Sequence, residues 1–149
     1  MINKNFFVII LVLVVGFFLI NYFPTNFKKE NIKYVKIAGQ NIKVDLAMTS
    51  ETRTLGLSGR LELKENEGML FIFDHEGIYP FWMKDMNFDI DIIWIGEDLK
   101  IIYIKKEALA ISYPESFSSE KNAKYVLEVV SGFSEKNNLK VGDSVLFTY

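Results

Sequence analysis

The sequence predicts a small, mainly β domain, an antiparallel barrel or sandwich with one or two short helices, behind an N-terminal transmembrane helix. Three observations predict it. Residues 6–23 form one apolar run. Beyond it, short stretches of alternating apolar and polar residues recur between Gly, Asn and Asp turn signals, with no strand–helix–strand rhythm. Half of the 149 residues are hydrophobic and 15% are aromatic, enough for the core of one domain.

The apolar run is interrupted only by Gly16, Asn21 and the amphipathic Tyr22, and Pro24 ends it. Eighteen helical residues span about 27 Å, close to the hydrocarbon thickness of a bilayer. A cleaved signal peptide needs a shorter run and a small-residue cleavage site. Residues 20–23 are bulky throughout, which favours an uncleaved anchor. A short tail before a single span leaves the tail inside and the domain outside. The expected organisation is therefore a membrane anchor at 1–23, a polar linker at 24–32 and a barrel-like domain at 33–149, outside the cytoplasm.

Residues 33–38 and 41–47 alternate around Gly39-Gln40, a β-hairpin with one buried face. At Thr49 or Ser50 the period changes, and either residue can cap a short helix ending near Leu57–Gly59. Arg53 and Arg60 share a face if that helix reaches so far. Residues 69–73 are uniformly apolar, a strand buried on both faces, and Asp74-His-Glu-Gly77 reads as a turn. Residues 81–84 form a short strand or edge segment. Residues 88–95 form a long strand, with Asp89 and Asp91 alternating with apolar residues, and Gly96-Glu-Asp98 turns it back into 99–104. Residues 105–121, with Pro114 and four serines, read as a long surface loop. A strand follows at 124–130 with Glu128 between Val126 and Val130. Ser134 caps one helical turn, and a strand at 144–148 closes the domain.

Charge and composition exclude several functions. Residues 1–30 hold three of the 17 basic and one of the 19 acidic residues, which leaves the domain at −4. No nucleic-acid partner is expected of an acidic domain. No cysteine is present, so disulfides and thiolate metal sites are excluded. Gly56-Leu-Ser-Gly59 has neither nucleophile-elbow nor P-loop spacing. Met69, Met83, Met86 and His75 could be drawn together around a soft metal, but methionines more often fill irregular cores. No metal and no cofactor is expected.

The motifs resemble the bacterial and archaeal family of conserved domains catalogued as domain of unknown function 192. The resemblance runs from about Val44 to Val145. It is carried by Ala47, Glu51-Thr-Arg53, Gly56-Leu57, Arg60-Leu61, Asn66-Glu-Gly-Met-Leu-Phe71, Phe81-Trp-Met-Lys84, Asp91-Ile-Ile93, Val126-Leu-Glu128, Gly132 and Gly142-Asp143. Asp85-Met86 departs from the Asn-Thr usual after the lysine. The resemblance implies a mostly β, barrel-like domain, often exported or tethered outside the membrane, and implies no activity.

The candidate site is a polar cluster of Arg53, Arg60, Glu67, Lys84, Asp91 and Glu128 beside Trp82. Charged groups next to core positions must be paired or solvated. One of the two arginines, the chain's only ones, could pin the helix by gripping an acid. If the cluster instead opens to a pocket, it could hold an anionic or sugar-like ligand against Trp82 and Phe81. The expected function is a membrane-tethered extracytoplasmic domain that binds a small ligand or an envelope partner without catalysis. The alternative is a cell-envelope hydrolase with a carboxylate acid/base pair drawn from Asp91, Glu128 and Glu67. A pair at Asp89 and Asp91, about 6.5–7 Å apart on one strand face, is a further arrangement for acid/base or hard-metal chemistry, although a solvated strand face is commoner.

Overall fold

The computed structural model describes residues 31–149. The expected anchor and nearly all of the expected linker lie outside the described residues. No helix among the described residues is long and apolar enough to cross a membrane.

The chain runs β1 (Tyr34–Ile37), β2 (Gln40–Ala47), α1 (Ser50–Leu55), β3 (Glu67–Gly77), β4 (Phe81–Trp82), β5 (Ile90–Ile95), β6 (Ile101–Ala108), β7 (Ser116–Phe117), β8 (Ala123–Val130), α2 (Phe133–Lys136) and β9 (Val145–Thr148). Seven strands form one sheet in the order β6-β5-β8-β3-β2-β1-β9, and β4 and β7 form a separate two-stranded ribbon. The large sheet curls into a half-barrel. A bridge between Lys100 and Ser144 links the β6 and β9 ends of that order. One neighbour pair, β2 and β3, is parallel, where an all-antiparallel sheet was expected. The cause is the connection: a parallel pair needs a crossover, and residues 48–66, with α1, supply it.

Two cores result. The inner one lies on the face carrying Val35, Ile37, Val44, Leu70, Ile93, Ile95, Leu127, Val129 and Val145, closed by Phe133. The outer one holds Met69, Phe71, Ile90, Ile92, Trp94 and Val126 together with Leu57, Phe81, Met83 and Phe117. The half-barrel thus has apolar residues on both faces of its central strands, and the segment around α1 and the β4–β7 ribbon cover the outer one. That explains why β5 is buried at every position and why it does not alternate in exposure.

Four local expectations are corrected. Residues 74–77 continue β3 with a register shift against β8, rather than turning. The extended backbone there is held by Lys124, whose ammonium donates to the Asp74 carbonyl at 2.6 Å. Residues 105–121 are only partly a loop, since β6 runs to Ala108 and β7 pairs with β4. Helix α1 stops at Leu55, so Arg60 lies beyond it and shares no helical face with Arg53. The cap of α2 is Gly132, not Ser134.

Candidate functional site

Helix α1 is fixed at both ends. The Thr49 hydroxyl accepts from the Thr52 amide, and the Thr52 hydroxyl accepts from the Thr49 amide, a reciprocal cap. Gly56 then turns the chain at φ 52°, a conformation that favours glycine. The segment after the helix is tied to the loop after β4. The Gly59 amide donates to the Asp85 carbonyl at 2.8 Å. The Ser58 hydroxyl donates to the Lys84 carbonyl at 2.8 Å, and the Asn87 amide donates to the Arg60 carbonyl at 2.7 Å.

This leaves a pocket of about 250 Å³ between α1 and β4. Phe71, Phe73, Tyr79, Phe81, Trp82 and Met86 give it apolar walls, Ser50, Thr54 and Ser58 add side-chain hydroxyls, and Arg53 and Glu128 also line it. The aromatic wall is packed ring against ring. Phe73 and Tyr79 stack at 3.5 Å between centroids, and Phe81 stands edge-on to Phe71 at 4.8 Å. Behind it, the Trp94 indole donates to the Tyr79 carbonyl at 3.0 Å. Trp82 is 45% exposed and also lines an outer groove with Glu51, Lys84 and Asp85.

Glu128 is the unusual group. It sits on the outer face in a row across the sheet, with Met69 of β3 on one side and Ile92 of β5 on the other. Only 5% of its surface is exposed, and its Oε2 has no hydrogen-bond partner. Burial pushes its carboxyl up to about 8, with Arg60 pulling the other way. At neutral pH it is a neutral acid. A β-carbon placed on Gly56 would lie 3.4 Å from the Phe71 ring and 4.0 Å from Oε2, ordinary contact distances, so the glycine turn packs close to both. Buried polar atoms are nearly always partnered, so the unpartnered oxygen singles out Glu128 among the residues that line the pocket.

The other candidate residues separate. Arg53 donates through one nitrogen to the carbonyls of Met48 and Ile72, both at 2.8 Å, and lies over the Phe73 ring at 5.1 Å. It does pin α1 to the sheet, but through carbonyls and a ring rather than an acid. Arg60 pairs with Asp45 at 2.7 Å on the surface. Glu67 lies with them and Lys43 in a small depression outside the pocket, 3.8 Å from Lys64. Lys84 is in the outer groove.

Asp91 is on the opposite face from Glu128, fully buried. Its carboxylate accepts from the Glu107 amide at 2.9 Å, the Gly132 amide at 3.2 Å and the Ser134 amide at 2.7 Å. It fastens a positive-φ residue at the end of β6 and the start of α2 to the sheet. Asp89 likewise accepts from the Ala110 amide at 2.7 Å. The acid/base pairs drawn from Asp89, Asp91 and Glu128 do not assemble, because these two aspartates are engaged on loop backbone and Asp91 faces away from Glu128. No cluster of metal-ligating His, Asp or Glu occurs among the described residues.

Sequence reasoning missed Gly56, Phe73, Tyr79, Thr54 and Met86 as pocket residues. The only available signal was Tyr79 before Pro80, and it says nothing of the stack on Phe73.

A curled β half-barrel with a covered outer face, and a pocket in that cover whose wall carries a buried unpartnered acid, defines the class of domain. The chain belongs to the domain of unknown function 192 family, described as an uncharacterised ACR, whose model matches residues 33–147. It is similar to a solved protein of unknown function from Novosphingobium aromaticivorans, with 28% identity, 77% of this chain and 84% of that one covered, and a TM-score of 0.74. It is also similar to a solved protein from Sinorhizobium meliloti named a "putative transcription regulator", with 26% identity, 76% and 90% covered, and a TM-score of 0.71. No curated protein matches the chain.

Proposed function

We propose that the chain is a membrane-tethered, extracytoplasmic binding domain that holds a small molecule, about one ring in size, in the pocket between α1 and β4. The observation that carries this reading is Glu128, a buried carboxyl group that lines an aromatic pocket and has an oxygen without a partner. Apolar walls with few convergent polar groups are the usual form of a ligand site. The size follows from volume. Drug-sized ligands occupy roughly 300–1,000 Å³, and a benzene-sized cavity is about 150 Å³, so about 250 Å³ suits a single substituted ring. The lining offers one carboxyl group and no second one, which favours binding over acid/base hydrolysis. The tether rests on the apolar residues 6–23.

The test is native mass spectrometry of the full chain isolated from membranes in mild detergent. A small molecule retained by the native chain and lost from Trp82→Ala supports the reading. Retention unchanged by Trp82→Ala, or recovery of the chain only in the soluble fraction, contradicts the pocket or the tether respectively.

A further inference from the structure

We infer that the occupant presents a neutral hydrogen-bond acceptor, a carbonyl oxygen, to Glu128. This rests on the pocket being a binding site and names the chemistry it selects.

The groups around Glu128 decide the matter. Its strand neighbours Met69 and Ile92 offer no charge and no side-chain donor. From the segment after α1, Arg60 is close enough to act on its charge, but that guanidinium is bound to Asp45. From α1 itself, Arg53 lines the pocket, with one nitrogen committed to two carbonyls and its plane set over Phe73. Tyr79 also lines the pocket, and its hydroxyl donates to the His75 carbonyl at 2.6 Å. Glu51, Lys84 and Asp85 lie further out, in the groove beyond Trp82.

A cationic ligand would meet the Arg53 guanidinium on the pocket wall, and like charges repel. An anionic ligand would find Arg53 with one nitrogen already held by two carbonyls, and would leave water for a largely apolar wall beside a carboxyl group. A neutral acceptor meets neither obstacle. Glu128 keeps its proton in this environment, since burial disfavours its charged form. A protonated carboxyl donates one O–H bond. A carbonyl group accepts that bond from the Glu128 carboxyl, which lines the pocket, while its ring lies against Phe81 and Trp82.

The experiment uses the full chain in detergent micelles and three single-ring compounds: benzamide (neutral carbonyl), benzylamine (cation) and benzoate (anion). Binding is measured by calorimetry against matched empty micelles, at about pH 6 and about pH 9.5, on either side of the Glu128 transition. The expected result is that benzamide binds best at the lower pH and weakens by about tenfold or more at the higher one. Glu128→Gln, which keeps an N–H donor but cannot ionise, binds benzamide with the same affinity at both. Trp82→Ala reduces that binding, and together with the Glu128 dependence this places it in the pocket and not in the outer groove that Trp82 also lines. Preference for benzylamine or benzoate overturns the acceptor assignment while leaving the pocket a binding site. Benzamide binding that ignores pH in the native chain overturns the donor role of Glu128. Binding of none of the three overturns the inference, and the retained-molecule measurement then decides separately whether the pocket binds anything.

Discussion

Asp91 and Glu128 stand on neighbouring strands and point to opposite faces of the sheet: Asp91 pairs with Val129 of the inner core, and Glu128 pairs with Ile92 of the outer one. Each is a carboxyl group in an apolar strand. Burial forces such a group to find partners or to give up its charge. Asp91 has found three backbone amides and works as a structural fastener. Glu128 has not, and gives up its charge instead.

The fastener is tested by Asp91→Ala. It leaves three amides without an acceptor beneath the end of β6 and the start of α2, at a cost of about 3 kcal/mol or more. Asp91→Asn keeps one acceptor and falls between. Urea unfolding of both variants checks the order.

Arginine is required at one of the two positions. Arg53→Lys loses the two-carbonyl grip and the ring contact with Phe73, and lowers stability by about 1–2 kcal/mol. Arg60→Lys retains a charge beside Asp45 at an exposed site and changes stability by less than about 0.5 kcal/mol. Thermal melts of the two variants should differ clearly; equal melting temperatures contradict the pin.

The proton on Glu128 makes stability pH-dependent, with a definite sign. Its folded value, about 8, lies above the ordinary 4.5. The acid therefore contributes stability that is fully present below 4.5 and is lost as pH rises through about 8, because the unfolded chain releases the proton first. The loss is of the order of 3–5 kcal/mol across that window. Glu128→Gln removes this contribution to the slope. Urea unfolding at about pH 5 and pH 9 should show the native chain losing ground against the variant as pH rises.

Trp82 separates binding from folding. It is 45% exposed, so Trp82→Ala costs little stability, about 1 kcal/mol or less, yet removes one wall of the pocket. A normal melting temperature with lost ligand retention is the expected pair of results.

Much of the fold was legible in the sequence because half-buried strands alternate. The β1–β2 hairpin, the β5–β6 hairpin and β8 were all visible in the period-two pattern. What alternation cannot show is a sheet with two covered faces. Ile92 and Ile93 are both fully buried, on different cores, so the sequence of β5 carries no sign of which side Asp91 takes. The continuation of β3 past Asp74 was hidden for another reason: the polar residues there resemble a turn, and the lysine that holds them is 50 residues away. Of the site, Glu128, Trp82 and Arg53 were legible as charge or aromatic surface out of place. Gly56 and Tyr79 were not, because their roles depend on where the α1 segment and the β4 ribbon meet.

The most direct test of the account is a carboxyl-carbon NMR titration of Glu128 in the unliganded chain. The account predicts a midpoint near 8 that rises further when benzamide is bound. A midpoint near the ordinary 4.5, unmoved by benzamide, would mean that Glu128 is solvated and ionised, and would contradict it.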